Sequence, residues 1–142
     1  MIIRDATWDD WPQVLPLAYE VHDFFPSHLR DHPLNDAQIQ RTYVVSLNNP
    51  ISFARVAEDD GKIVGCLVAG IALNGWGLQV ASDIFMFSKG GTKKLLVAYR
   101  EWAKEKGADI VHVTDLCDRP GYHEVIEAAG FKRAGTLFFG VD

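Results

Sequence analysis

Apolar residues recur along this chain with two different periods, and the places where the period changes mark its elements. The opening Met1-Ile2-Ile3-Arg4-Asp5-Ala6 reads as a short strand. Trp11, Val14, Leu15, Ala18, Val21 and His22 then follow a helical spacing, which predicts an amphipathic helix running to about Phe24. Thr7 is its candidate N-cap, with Asp10 three residues on as a weak capping box. Pro12 and Pro16 fit that helix badly and predict a kink or an irregular first turn. The stretch from Phe24 to Asp36 carries two prolines and ends in an Asn-Asp cap signal, so it reads as a loop leading into a second helix, Asp36 to about Leu47.

After Asn48-Asn49-Pro50 the period drops to two. Residues 51–59 read as a strand, Asp60-Gly61 as a hairpin turn, and 62–73 as the partner strand. That second strand is apolar on both faces, the mark of a central strand covered on both sides. A turn at Asn74-Gly75-Trp76-Gly77 leads to a third strand over 78–87. The helical period returns from Thr92 to about Lys106, with Leu95, Leu96, Tyr99, Trp102 and Ala103 on one face and Gly107 as the C-cap. A strand over 109–116, a loop, a short helix over 122–130 and a final strand over 131–141 complete the pattern. The predicted order is β-α-α-β-β-β-α-β-α-β, a single α/β domain over 1–142. Its sheet is mixed and mostly antiparallel, with parallel pairing after the helix crossover.

The bulk numbers narrow the setting. A chain of 142 residues, 48% hydrophobic and 23% charged, suits one domain with its own core. A formal charge of −5 argues against general nucleic-acid binding, so an anion site would have to be a local basic patch. Cys66 and Cys117 lie in different segments and read as reduced thiols of a cytoplasmic protein. The longest apolar run, residues 63–73, is too short to cross a bilayer as a helix, and no membrane association is expected. His22, His28 and His32 cluster with Asp23 and Asp31, but His22 continues the apolar stripe, so a core or rim role is expected and no metal.

The segment from Phe87 to Leu96 stands apart: two glycines, a threonine and three lysines between a strand and a helix. A helix start leaves N–H groups unpaired and carries the positive end of the dipole, so Lys93 and Lys94 there repel it by about 0.3–1 kcal/mol each. A bound phosphate or diphosphate reverses that balance, and glycines let the backbone approach it. Exposed lysines around a shaped turn are the alternative. Neither GxxxxGK[ST] nor GxGxxG is present.

Together, the order of elements and this turn resemble the GNAT superfamily of acetyl-CoA-dependent N-acetyltransferases. In that family a helix pair follows the first strand. A three-stranded meander leads to a turn of the form (Gln/Arg)-x-x-Gly-x-(Gly/Ala) that binds the cofactor diphosphate. Residues 81–87 stand where the strand before the turn belongs, Lys89 to Leu96 resembles the turn and helix start, and Tyr122 to Phe131 resembles the segment ending in Gly-Phe. Phe87 occupies the place of the Gln/Arg, Thr92 that of the last glycine, and Ile126 that of the family's frequent tyrosine acid. Such loose motifs are also similar to those of small acetyltransferase-like phage proteins, some of them virion components.

The resemblance implies acetyl-CoA as acyl donor and transfer of its acetyl group to a primary amine. Backbone N–H groups from Lys89 to Lys93 would hold the diphosphate within a turn of Ser88, Lys89, Gly90, Gly91, Thr92, Lys93 and Lys94. A backbone N–H near Met86 or Phe87 would polarise the thioester, and Asp115 would line the cofactor arm or cap the next turn. Asp83 is the candidate base, or else a hydrogen-bonded strand residue. Tyr122, one turn before Ile126, is the candidate acid, with His123 as the neighbouring option. Phe24, Phe25, Asp23 and Asp31 would border the amine acceptor, and a homodimer is an option. The alternative reading is a protein of the same fold that binds or builds without catalysing.

Overall fold

The structure, a computed structural model, describes residues 1–117, 119–136, 138 and 140. Its strands are β1 (Ile2–Asp5), β2 (Ser52–Asp59), β3 (Lys62–Leu73), β4 (Gln79–Ser88) and β5 (Ile110–His112). Its helices are α1 (Trp11–His22), α2 (Ser27–Arg30), α3 (Asp36–Leu47), α4 (Thr92–Glu105) and α5 (Tyr122–Ala128). The sheet runs in the order β1-β2-β3-β4-β5. The first four strands are antiparallel, and β4 pairs in parallel with β5.

The prolines of α1 are accommodated at its start. Pro12 is in the first helical turn, where its missing N–H has no helical acceptor to lose. A 3₁₀ turn at Trp8–Asp10 absorbs the irregularity. Asp10 anchors that turn: its carboxylate takes the Thr7 N–H at 2.9 Å and the forked Arg4 guanidinium at 2.7 and 2.9 Å. Pro16 lies inside the helix and leaves the Pro12 carbonyl without its helical donor. The buried stripe is Trp11, Val14, Leu17, Ala18 and Val21, so Leu17 takes the central place expected of Leu15.

Alternation along β3 builds two cores, one on each face of the sheet. Cys66 and Val68 meet Val14, Leu17, Val21 and Tyr43 from α1 and α3. Leu67 and Ala69 meet Leu95, Leu96, Tyr99 and Trp102 from α4, with Ala129 beyond α5. The large side chains of α4 contribute about 1.5–3 kcal/mol each when fully buried, so packing fixes that helix whatever its charged first turn does.

Two departures from alternation matter for the site. Val68 pairs with Phe85 but Ala69 pairs with Asp83, so Ile84 is an extra residue in β4, a bulge that bends the strand. The parallel strand is also far shorter than the eight residues expected, because only Ile110, Val111 and His112 pair, with Val80, Ala81 and Ser82. The loop before α3 contains the short helix α2, which the sequence pattern did not predict. Of the final strand expected over 131–141, residues 131–136 form no strand, while 137, 139 and 141 lie outside the described residues.

Candidate active site between the parting strands

Beyond Ser82 and His112 the two parallel strands separate, and a cleft of about 270 Å³ opens between them. One wall is β4 from Asp83 to Phe87 and the other is the chain from Thr114 to Cys117. Val21 and Phe25 close it from the α1 side and Tyr122 from α5. Because β4 now has a neighbour only on the β3 side, alternate backbone groups of residues 83–88 face the cleft. At the apex Asp83 spans the gap: its Oδ1 accepts the Thr114 N–H at 3.0 Å, where a main-chain ladder bond would otherwise run. Burial pushes the Asp83 carboxyl above the ordinary value, and the N–H groups of Thr114 and Asp83 with nearby His112 offset this only in part. Ser82 Oγ and His112 Nε2 are 2.9 Å apart on the last paired rung.

At the other end of β4 is the glycine–lysine turn. The N–H groups of Lys89 and Gly90 both donate to the Val64 carbonyl, at 2.9 and 3.2 Å. They are therefore not available to a ligand, which corrects the expectation for those two residues. The first helical bond of α4 runs from Leu95 N–H to Gly91 O at 2.9 Å, so the N–H groups of Thr92, Lys93 and Lys94 have no acceptor within the helix. No side chain caps them, since the N-cap is Gly91. The Ser88 and Thr92 hydroxyls hydrogen-bond each other across the turn. Gly65 makes room for the turn: a Cβ there would lie 2.8 Å from the Gly90 carbonyl oxygen.

The lysines divide. Lys89 reaches Glu20 of α1 at 3.3 Å, an exposed pair worth little by itself. Lys93 and Lys94 line a separate open groove with Met1, Ile3 and Val97, on the β1 side of α4. The side chains of Met86 and Phe87 go to opposite cores, with Phe87 stacked on Phe85 at 4.4 Å between centroids. Both residues line the cleft.

Tyr122 and His123 part company. Tyr122 is buried at the cleft wall, and burial pushes its phenol up to about 12, against the opposing pull of Arg119. It is therefore a proton-carrying phenol at neutral pH. Ile126, four residues on, packs against the α4 core instead, so one turn of α5 separates the cleft-facing position from the core-facing one. The His123 side chain is 68% exposed, and its Nε2 lies 2.8 Å from Asp115 Oδ2. Asp115 itself lines the cleft, while its Oδ1 caps the following turn through the Cys117 N–H at 3.0 Å. Both roles considered for Asp115 thus coexist.

Sequence reasoning did not single out Arg119. Its guanidinium crosses from the loop before α5 to the end of β4, where Nη1 donates to the Ser88 carbonyl at 2.6 Å. It lies 4.2 Å from the Tyr122 ring centroid and 5.5 Å from that of Phe24. A lone arginine in a Pro-Gly loop carries no local signal, because its partners are set by the fold. Cys66 and Cys117 are both free, and burial raises both thiols. Among the described residues no group of three or more His, Cys, Asp or Glu is placed to hold a metal ion, and no helix is long and apolar enough to cross a membrane.

No protein-family model matches the chain, and no curated protein matches it. Solved structures do. The chain superposes on the aminoglycoside N-acetyltransferase AAC(6')-Iy in complex with the bisubstrate analog CoA-S-monomethyl-acetylneamine, with a TM-score of 0.72, 19% identity, and 99% and 97% of the two chains covered. A transcriptional regulator from Bacillus halodurans C-125 gives 0.72, 20% and 99% of both chains. The aminoglycoside 6'-N-acetyltransferase AAC(6')-IG from Acinetobacter haemolyticus gives 0.68, 15%, and 100% and 98%. The chain has the GNAT fold, as the order of its elements led us to expect.

Proposed function

Starting from a chain with the GNAT fold, we propose that it is an acyl-CoA-dependent N-acyltransferase, moving an acetyl group from acetyl-CoA to a primary amine. The observation that carries this reading is the joining of two features in one strand. β4 borders the open cleft along residues 83–87 and delivers the chain to a helix start whose N–H groups at Thr92, Lys93 and Lys94 lack acceptors. A long thiol ester with a diphosphate at its far end suits that layout, the arm in the cleft and the phosphates at the turn. The donor set there, neutral N–H groups and cations, fits an anion.

In the proposed reaction the amine nitrogen attacks the thioester carbonyl carbon, a C–N bond forms and the C–S bond breaks. A backbone N–H of Met86 or Phe87 stabilises the charge that develops on the carbonyl oxygen, which needs no particular side chain. Asp83 accepts the proton lost by the amine, directly or through water, and its raised pKa brings it closer to the working range of a base. Tyr122 donates its phenolic proton to the departing thiolate. Phe25 and the α1–α2 segment border the acceptor side. His123 serves as a rim residue paired with Asp115.

A protein of this fold that binds CoA without catalysis is the second reading. What favours it is the engagement of Asp83 Oδ1 by Thr114. Calorimetry with acetyl-CoA tests the binding common to both, and no heat at millimolar ligand would remove both. Thiol release with a panel of primary amines then separates them. The first reading expects turnover that falls by about 10²–10⁴-fold in Asp83→Asn or Tyr122→Phe. Turnover unchanged in both variants would take those side chains out of the chemistry.

A further inference from the structure

Three buried side-chain atoms among the described residues lack a hydrogen-bond partner: Asp115 Oδ2, Arg119 Nε and Arg119 Nη2. Asp115 Oδ2 has the His123 imidazole at 2.8 Å. The guanidinium has only neutral neighbours, the Ser88 carbonyl and the Tyr122 side chain, and none of the ion pairs among the described residues involves Arg119. Arg119 is half-buried, but these two donors are covered, and covered donors left unused on a cation cost free energy that an anion would recover.

The place of this cation is defined on three sides. Nη1 is held by the Ser88 carbonyl, and the aromatic rings of Phe24 and Tyr122 lie within 5.5 and 4.2 Å of the guanidinium carbon. Ser88 is the last residue of β4, and its hydroxyl bonds Thr92, the first residue of α4. Arg119 is thus joined through Ser88 to the helix start whose N–H groups lack acceptors. Lys93 and Lys94 line the groove on the other side of α4, whereas Arg119 lies against Tyr122 of the cleft wall and the Ser88 end of the turn.

We propose that Arg119 is a phosphate-binding side chain, its buried Nε and Nη2 taking oxygens of the donor's diphosphate beside the Ser88–Thr92 turn. This rests on the reading above that a CoA-type donor occupies the cleft, and it supplies the cation from a loop that follows β5 instead of from the turn itself. A guanidinium suits the task because its fixed fork matches two phosphate oxygens at once.

The test uses calorimetry with three probes: CoA, inorganic pyrophosphate, and pantetheine, which carries the thiol arm without phosphate. Wild type is compared with Arg119→Gln and Arg119→Lys, with thermal melts of each free protein alongside. Arg119→Gln weakens CoA and pyrophosphate by about 10–100-fold and leaves pantetheine within about 2-fold. Arg119→Lys falls between, keeping the charge without the fork. If Arg119→Gln does not fold, the Lys variant decides: wild-type affinity for pyrophosphate overturns the proposal. Equal losses for CoA and pantetheine, together with a lowered melting temperature, also overturn it, since they mark a structural role. Pyrophosphate bound through Arg119 without CoA binding supports this proposal and removes the donor reading. CoA bound equally by wild type and Arg119→Gln does the reverse, and a wild type that binds neither CoA nor pyrophosphate removes both.

Discussion

Replacing Gly91 by alanine tests whether the turn before α4 is seated where its chemistry requires. Gly91 has φ 71° and ψ 9°, the left-handed region, which costs an L-residue about 1–2 kcal/mol. A Cβ there would also lie 2.6 Å from the Cβ of Ala57, a fully buried residue of β2. Met1 Sδ at 2.9 Å is the end of a flexible side chain and can move, but the Ala57 methyl is fixed to the sheet. Overpacking of that kind adds about 1–3 kcal/mol, for a sum of about 2–5 kcal/mol from a total stability of order 5–15 kcal/mol. Gly61 supplies the control: its φ is 77° and nothing lies within 4 Å of its would-be Cβ, so Gly61→Ala isolates the backbone cost. Urea unfolding of both variants, of Ala57→Gly and of the Gly91→Ala/Ala57→Gly double variant completes a cycle. We expect Gly91→Ala to exceed Gly61→Ala by at least 1 kcal/mol, with a favourable coupling of about 1–3 kcal/mol when the Ala57 methyl is removed. Equal losses at the two glycines and no coupling would refute the packing described for this turn. In the same variant, displacement of the N–H groups of Thr92 to Lys94 should weaken pyrophosphate binding.

The remaining predictions concern charge. Asp83 has a raised folded pKa, so the fold holds its proton more tightly than the unfolded chain does; stability falls as pH climbs from the unfolded value near 3.8 through the folded one. Asp83→Asn removes that slope, and its stability relative to wild type should rise across the same window in urea titrations run at successive pH values, even as turnover is lost. Asp10 behaves oppositely. Burial pushes its carboxyl up, but the Arg4 fork and the Thr7 N–H outweigh it and hold it below the ordinary value, so its contribution is present above about pH 3.8 and disappears as pH falls through the folded value. Asp10→Ala should cost about 2–3 kcal/mol at pH 7, discounted for the partial exposure of Arg4, and little at pH 2; an equal loss at both would show that packing and not charge is at stake.

How far the residue pattern reached depended on how local the cause was. β3 and α3 run over Lys62–Leu73 and Asp36–Leu47 as the periodicity predicts, because burial on both faces and an Asn cap are written in consecutive residues. The turn of interest was visible for the same reason. That Lys89 and Gly90 spend their N–H groups on Val64 was not, since that bond depends on Gly65 letting the turn lie against β3. β5 looked longer than it is because the alternation of Val111, His112, Val113 and Thr114 runs past His112, where the pairing ends. Arg119 was missed outright: its partners Phe24 and Ser88 are far away in sequence, and nothing about the loop around it foretells their meeting.

The extra residue at Ile84 acts on β4 as a phase slip. Before it, the odd-numbered Ala81 and Asp83 pair with Ile71 and Ala69 and share their α4 side; after it, the odd-numbered Phe85 and Phe87 pair with Val68 and Cys66 and share their α1 side. Deleting Ile84 would restore unbroken alternation while leaving Asp83 on the α4 side and Phe85 and Phe87 on the α1 side. Lineages of this sequence can therefore lose that one residue without exchanging the two faces of β4, but not without straightening the strand that joins the cleft apex to the turn.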